Sequence, residues 1–467
     1  MNLAEKIKND EILNTIAGEF DPEIYLVGGA VRDFLLGKNT YDRDLIVCNE
    51  DARVFSQKLA ERFGATFVPL DEVNRIYRLV FKDKLNYLDI TNPVENSLEA
   101  DIKRRDLTIN AIAVNIKSGE VIDLTGGLDD IKNKKINFIS EQNFIDDPLR
   151  LLRIYRFQAG LGFDVVPELS EIVKKHKKLI HKPAYERVIY EIVKLFGGNY
   201  ADQALLAMDE AGLLEEIFPV MAYVKKVPPN SHHHLDLFHH SVETVRQINE
   251  IYKSSPVEVK EHLDRVDFGG LPRIAHLKLA GFLHDIGKFS TWTIEQDTGR
   301  HRFIKHDDVG SKMALKILKD MHFSNKQVDY ITLMIKNHIY PSHVMCSPTD
   351  KTMMRFVRKT GDNSVDNIVL AMADRLSARG PEITEDIVQN NILSLKRLTE
   401  FYFSVRETLK PLPKLLDGNQ VMKILKIKPS PLLGEIMDAL HDAQFEGSVV
   451  SKDDAVDFVK NFYHSLS

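Results

Sequence analysis

The chain has 467 residues, 43% of them apolar and 28% charged, with a formal net charge of -6. That length exceeds one ordinary core, and the mildly acidic balance supplies no overall basic field for nucleic acid, so any RNA site must be a local patch. Two cysteines exclude a disulfide framework and fit a reducing compartment; with no bilayer-length apolar run and no signal-peptide pattern, a cytoplasmic address is expected.

Residues 23 to about 125 read as strands with intervening helices. Glu23–Gly28 and Arg43–Cys48 are short β-type runs, and Ala52–Phe63 has helical spacing. Thr66–Leu70, Ile76–Phe81, Leu85–Thr91, Ala111–Ile116 and Val121–Leu124 are strand-like again. The expected class is α+β: a head over residues 1–135 with a mixed β-sheet flanked by helices, followed by helical segments. From about residue 128 strand signals become sparse. Pro148–Phe163, Pro167–Lys178, Ala184–Phe196 and Ala201–Leu214 carry helical periodicity and make a helical neck over 136–228. Lys225–Asn230, with Pro228 and Pro229, reads as a linker. A histidine-bearing helical region over 229–400 follows. A helical tail over 401–467 carries Lys410, Pro411, Pro413, Lys414, Lys423, Lys426 and Lys428.

In the head, Asp42 and Asp44 stand at i and i+2 on an apolar run, hence on one face of a strand. Two carboxylates there repel unless cations neutralise them, and Mg²⁺ takes hard oxygen ligands together with triphosphate oxygens. Two such ions, roughly 3.5–4 Å apart, activate an attacking hydroxyl and stabilise a leaving pyrophosphate. Asp89, on a later strand, supplies a third carboxylate or a general base. Taken alone, Asp42 also reads as turn chemistry after Asn39-Thr40-Tyr41 and Asp44 as a strand-edge charge. Gly28-Gly29 lets backbone N–H groups approach phosphate oxygens, and Arg32 offers a guanidinium fork to them. The competing reading is an ordinary strand-to-helix turn with Arg32 on a solvated face.

Gly28–Asp33 with Asp42 and Asp44 resembles the first motif of the class II tRNA nucleotidyltransferase and poly(A) polymerase family. Arg104–Ala111 resembles its second motif, which implies ribose contacts; Asp123–Asp130 resembles the third, a hinge-like element. Asp146-Asp147-Pro148-Leu149-Arg150 resembles the fourth, with Asp146 in place of the usual Glu, and Tyr185-Glu186-Arg187-Val188 resembles the fifth. The resemblance is dense over about residues 20–220 and identifies the head as a nucleotidyltransferase. It implies Asp42, Asp44 and Asp89 as catalytic residues with Mg²⁺. The nucleotide contacts it implies are Gly28, Gly29, Arg32, Arg105, Asp106, Asn110, Asp147, Arg150, Arg153 and Arg156.

The fourth motif also has a physical logic of its own. Asp147 accepts and Arg150 donates, three residues apart on one helix face. Cytosine and adenine both present an exocyclic amino donor beside a ring-nitrogen acceptor, so one Asp–Arg pair reads either base and disfavours uracil and guanine. Pro148 as a first helical residue would instead make Asp147 an N-cap. A second departure from the family lies between Thr91 and Ser97. Many members carry a long flexible loop there, associated with the switch from adding C to adding A; a shortened loop also occurs in members that add only CC. Here Asn92–Asn96 runs almost directly into the second motif.

In the neck, Lys174, Lys175, Lys177 and Lys178 form a basic run that grips tRNA phosphates or, equally, a solvated helix face. Further on, His240, His284, Asp285 and Asp374 occur in the order His…His-Asp…Asp, with His306 and His338 available for a second metal. This series resembles the HD phosphohydrolase superfamily over about residues 232–380, which implies a divalent metal of unknown identity and, in some members, phosphatase or 2′,3′-cyclic phosphodiesterase activity. His232, His233 and His239 read as loop or rim residues, and Lys288 as either a phosphate contact or a solvated lysine.

The function expected from these resemblances is template-independent addition of CCA to tRNA 3′ ends from CTP and ATP, with no membrane partner. The alternatives are a CC-only enzyme, a poly(A) polymerase, and an HD phosphohydrolase whose head only binds RNA. Intact Asp42 and Asp44 argue against the last.

Overall fold

A computed structural model describes residues 3–408, 413–445 and 447–466. Lys410 and Pro411 of the expected tail lie outside the described residues. The chain divides into two compact units, residues 1–219 and 220–467.

The first unit is built on β1 (Glu23–Val27), β2 (Asp42–Cys48), β3 (Thr66–Asp71), β4 (Ile76–Val80), β5 (Tyr87–Thr91), β6 (Ile112–Asn115) and β7 (Val121–Asp123). They form one seven-stranded sheet in the order β3-β4-β5-β2-β1-β6-β7. β2 and β5 run parallel, and every other neighbouring pair is antiparallel. The sheet is therefore mixed, as the sequence predicts. β1 is a continuous apolar run because it is central: Ile24, Tyr25, Leu26 and Val27 are all buried. The helix Ala52–Phe63 starts at Asp51, whose carboxylate accepts from the backbone of Arg53 and Val54. It buries Ala52, Phe55, Ser56 and Leu59, the i, i+3, i+4, i+7 face of an amphipathic helix. Burial of Phe55 and Leu59 is worth about 1.5–3 kcal/mol each.

The neck contains helices Arg150–Leu161, Pro167–His176, Tyr185–Gly197, Ala201–Glu210 and Leu213–Ile217. The single helix expected over Ala201–Leu214 is thus two, broken at Gly212, where φ is +70°. Two pairs of short strands escape sequence periodicity. Lys135–Ile136 pairs in parallel with Asp164–Val165, and Trp292–Ile294 forms a hairpin with His301–Phe303.

In the second unit, helices Leu237–Ser254, Arg273–Leu283, His306–Asp320, Asn325–Asn337 and Ser364–Ser377 form the histidine-bearing bundle. Every residue of Arg273–Leu283 is buried, and its charged members are paired, Arg273 with Asp366 at 2.8 Å and Lys278 with Asn249 at 2.8 Å. The tail has a small core of its own, in which Val421, Ile436, Leu440, Val449 and Val459 join helices Gly418–Leu425, Pro431–Phe445 and Lys452–Ser465. Among the described residues no helix is long and apolar enough to cross a membrane.

Candidate active site and metal cluster

β2 presents Asp42 and Asp44 on one face, and its parallel pairing with β5 sets Asp44 opposite Asp89. Asp89 is held from the other side by Arg78 of β4, Nε to Oδ1 at 2.7 Å and NH2 to Oδ2 at 2.7 Å. Arg78 belongs to no motif in the sequence; its signal is strand register, since it stands directly opposite Asp89.

The turn after β1 brings the glycine motif against these carboxylates. Gly28 has φ +74°, and a Cβ there would lie 2.9 Å from Asp44 Oδ2 and 3.1 Å from Arg105 NH1. Burial pushes the Asp44 carboxyl up to about 6; Arg105 opposes the shift, and Asp42 and Asp89 add to it. Asp42 is raised as well, first by burial and then by Asp89. Three converging carboxylates with one bidentate cationic partner hold more negative charge than the protein neutralises. That donor set, all hard oxygen, fits Mg²⁺.

Arg32 departs from expectation. Its NH1 donates to Asn110 Oδ1 at 2.6 Å and its Nε to Asp33 Oδ1 at 2.9 Å, and it is 8% exposed. The guanidinium fork is turned inward, so Arg32 braces the motif instead of offering an open grip on phosphate. Arg105 stands beside Gly28 and Asp44 instead, steadied by Asp101 Oδ1 at 3.1 Å. Asp106 accepts from Arg153 Nε at 2.8 Å, Asn110 Nδ2 at 3.1 Å and its neighbour Leu107 N at 2.9 Å. Burial raises its carboxyl, but Arg153 and these donors outweigh burial and hold it at about 2. Arg156 reaches Glu191 at 2.5 Å and lies 3.7 Å from the centre of the Phe157 ring.

The fourth and fifth motifs meet at a cavity of about 260 Å³, lined among others by Arg104, Arg105, Asp106, Asp147, Arg150 and Arg187. Arg150 NH1 is anchored on the carbonyls of Arg104 at 2.7 Å and Asn143 at 3.1 Å. Asp147 Oδ2 lies 4.0 Å from Arg150 Nε and 3.1 Å from Arg187 NH2. Asp147 ends the helix Gln142–Asp146, while Arg150–Leu161 begins after Leu149, so the capping role does not arise. Asp146 is exposed and accepts from Gln142 Nε2 at 2.7 Å.

The lysine run spans the end of one helix and a 3₁₀ turn. Lys174 pairs with Glu171 at 2.7 Å, Lys175 with Glu141 at 2.7 Å, and Lys177 lies 3.9 Å from Glu216. Lys178 is exposed.

In the second unit the predicted ligands converge. His240 Nε2 lies 3.3 Å from Asp285 Oδ2 and 3.2 Å from Asp374 Oδ1, and His284 Nε2 lies 3.2 Å from Asp285 Oδ2. The other oxygen, Oδ1, faces His306 Nε2 at 3.3 Å and His338 Nε2 at 3.6 Å. Asp285 therefore stands between two ligand groups. His284, His306 and His338 each donate Nδ1–H to a backbone carbonyl, of Gly281, Phe303 and Ile335, at 2.7–2.8 Å. That fixes the tautomer and leaves bare Nε2 lone pairs facing one another, 3.2 Å apart between His306 and His338. Nitrogens at that separation share a proton or face a cation. Burial pushes His284 down, yet Asp285 and Asp374 outweigh it and raise it to about 10.

His233 corrects the rim assignment. Its ring stacks edge-on to His240 at 4.7 Å, and its ligand atom lies within 4.8 Å of those of His240, Asp285 and Asp374. Burial, and then Lys288, lower it to about 2, so it stays a neutral imidazole. His232 contacts Arg300 at 3.0 Å and exposed His239 contacts Asp236 at 2.7 Å, both away from the cluster. Lys288 is buried, with Nζ 2.5 Å from Asp285 Oδ2. It is no solvated lysine.

Residues 24–137 match the poly A polymerase head domain, 162–224 the "probable RNA and SrmB-binding site of polymerase A", and 237–379 the HD domain. The chain is 31% identical to an A-adding tRNA nucleotidyltransferase of Deinococcus radiodurans over 95% of this chain and 96% of that one. It is 30% identical to a CC-adding tRNA nucleotidyltransferase of Thermus thermophilus over 94% and 93%. A CCA-adding enzyme of Bacillus subtilis is 36% identical over 42% of this chain and 51% of that one. Among solved structures, a Thermotoga maritima CCA-adding enzyme complexed with tRNA matches in fold with a TM-score of 0.56 at 19% identity, over 100% of this chain and 98% of that one. At 31% identity over nearly the whole length of both chains, and with a matching head domain, the chain belongs to the tRNA nucleotidyltransferase family and is an enzyme.

Proposed function

We propose that the first unit transfers cytidylate from CTP to the 3′ end of tRNA lacking its CCA terminus. The observation that carries this is the convergence of Asp42, Asp44, Asp89, Arg105 and the Gly28 turn on the adjacent interior strands β5, β2 and β1. Asp42, Asp44 and Asp89 hold Mg²⁺. When bound, two such ions lower the cost of deprotonating the primer hydroxyl and offset charge on the departing pyrophosphate. Arg105 and the Gly28-Gly29 backbone hold the triphosphate. Asp147 accepts the exocyclic amino group of the base and Arg150 donates to its ring edge, with Arg187 fixing the carboxylate. Arg78 occupies both oxygens of Asp89, which supports Asp89 as a positioned ligand over Asp89 as a base.

Restriction to C is supported by the segment after β5. The segment holds only the 3₁₀ turn Val94–Asn96, and Asn92 ties its start down by donating to the carbonyls of Val47 at 3.0 Å and Glu50 at 2.7 Å. So short and tethered a segment supports an enzyme that does not re-form its site for ATP. The second reading, addition of the terminal A alone, is favoured by the A-adding relative at 31% identity. Full CCA addition is the third outcome of one assay: incubate tRNA lacking CCA, and separately tRNA ending in CC, with CTP, ATP and Mg²⁺, and sequence the ends. CC ends on the first substrate support the proposal; CCA ends on it, or A added only to the second, replace it.

For the rest of the chain, the proposed division is head 1–135, RNA-binding neck 136–228, HD domain 229–400 and tail 401–467. His240, His284, Asp285, Asp374, His306 and His338, joined by His233, hold one or two divalent ions in a phosphohydrolase site. The assigned setting is the cytoplasm.

A further inference from the structure

We propose that Glu191, which stands behind the nucleotide cavity and not in its wall, sets base selectivity as a positioning residue for the pair that reads the base. The proposal deepens the base-reading assignment above and rests on it. The reading carboxylate is itself held: Asp147 Oδ2 accepts from Arg187 NH2 at 3.1 Å, and Arg187 belongs to the helix Tyr185–Gly197. One turn further along that helix, roughly 6 Å at 1.5 Å per residue, stands Glu191. It is 5% exposed, on the buried side of the helix with Val188, Ile192 and Leu195. A buried carboxylate is costly unless a cation meets it. Two arginines of the helix Arg150–Leu161 do so: Arg156 Nε forms an ion pair with Oε2 at 2.5 Å, and Arg153 NH1 donates to Oε1 at 3.5 Å. Arg156 also lies 3.7 Å from the centre of the Phe157 ring, which fixes its guanidinium from the other side. Arg150, the donor of the reading pair, opens that same helix. Glu191 therefore clamps the helix that holds the acceptor to the helix that carries the donor.

The clamp extends to the catalytic turn. Arg153 donates from Nε to Asp106 Oδ2 at 2.8 Å, Asp106 Oδ1 accepts from Asn110 Nδ2 at 3.1 Å, and Asn110 Oδ1 accepts from Arg32 NH1 at 2.6 Å. Arg32 lies in the helix that opens at Gly28, the turn packed against Asp44. The consequence is selectivity. Cytosine and uracil differ at the edge that Asp147 and Arg150 read, where an amino donor is replaced by a carbonyl acceptor. Rejection of uracil requires that Asp147 stay in place and leave that carbonyl facing a carboxylate. A carboxylate free to swing aside would let Arg187 turn its donors onto the uracil oxygen, and the distinction would be lost.

The test uses the full chain and tRNA lacking CCA, with kcat/KM measured separately for CTP and UTP. The wild type prefers CTP. Glu191→Gln lowers the CTP-over-UTP ratio roughly 10-fold, the low end of what one charge-assisted hydrogen bond is worth. Arg156→Gln, which removes the other half of the ion pair, lowers it likewise. Val193→Ala, a buried position of the same helix outside the ion pair, lowers Tm and leaves the ratio at its wild-type value. A wild-type ratio in the folded Glu191→Gln and Arg156→Gln proteins overturns the proposal. So does an equal fall in Val193→Ala, because lost stability would then account for the effect. Should Glu191→Gln fail to fold, Arg156→Gln decides alone. A wild-type ratio in Asp147→Ala overturns the base-reading assignment itself, whatever Glu191 does.

Discussion

Gly28→Ala tests the geometry of the head with a single methyl group. The residue sits at φ +74° and ψ −140°, a region essentially reserved to glycine, which costs another residue on the order of 1–3 kcal/mol. In a unit of this size that lowers Tm by roughly 2–12 °C. The functional loss has a different origin. The new Cβ would lie 2.9 Å from Asp44 Oδ2 and 3.1 Å from Arg105 NH1, closer than carbon normally approaches oxygen, so the Asp44 carboxylate must swing away. A displacement of about 1 Å at a reacting centre costs on the order of 100-fold in rate. Gly37→Ala is the control: its φ is +78°, with nothing within 4 Å of the added carbon. It pays the backbone cost alone. The assays are incorporation of radiolabelled CTP into tRNA and thermal unfolding followed by circular dichroism. The expected result is a similar fall in Tm for both variants and a loss of turnover for Gly28→Ala only. Wild-type turnover in Gly28→Ala would refute the placement of Asp44 against the glycine turn.

The remaining predictions concern other parts of the chain. His284→Ala with Asp285→Ala abolishes metal retention in the second unit, measured by elemental analysis after dialysis, and any phosphohydrolase activity, while nucleotide addition persists; joint loss of both activities counts against two separable sites. Glu at Lys174, Lys175, Lys177 and Lys178 together weakens tRNA binding and flattens its salt dependence, and Lys178→Glu alone carries much of the effect because the other three have carboxylate neighbours. An unchanged salt slope removes the run from the interface. Asp106 is held at about 2, below its ordinary 3.8, so its ionised form adds stability that is complete above about pH 4 and lost as pH falls through 2. The difference is worth about 2.5 kcal/mol. Asp106→Asn therefore destabilises the first unit at pH 7 but not at pH 2, as read from hydrogen exchange in the Arg150–Leu161 helix; an equal loss at both pH values contradicts the ion-pair account.

The strands of the head were legible because each is a short apolar run punctuated by turn residues, and the pairing of Asp42 with Asp44 was legible because strand alternation puts i and i+2 on one face. What escaped depends on the third dimension. Arg78 is one arginine in an ordinary strand pattern until the register of β4 and β5 sets it against Asp89. Arg32 follows a glycine pair whose pattern reads as a phosphate cradle, but Asn110, distant in sequence, draws its guanidinium inward. His233 sits in a proline- and histidine-rich loop with no periodicity; Asn230 Oδ1 accepts from the backbone of His232 and His233 and curls that loop onto the cluster. The paired pieces Lys135–Ile136 and Asp164–Val165 are two residues each, too short for any period to show.

The most direct measurement is sequencing of tRNA 3′ ends after incubation with CTP, ATP and Mg²⁺, wild type beside Asp42→Asn with Asp44→Asn. The account predicts C addition by the wild type, and none by the amide variant at unchanged tRNA affinity. Undiminished addition by the folded amide variant would contradict it.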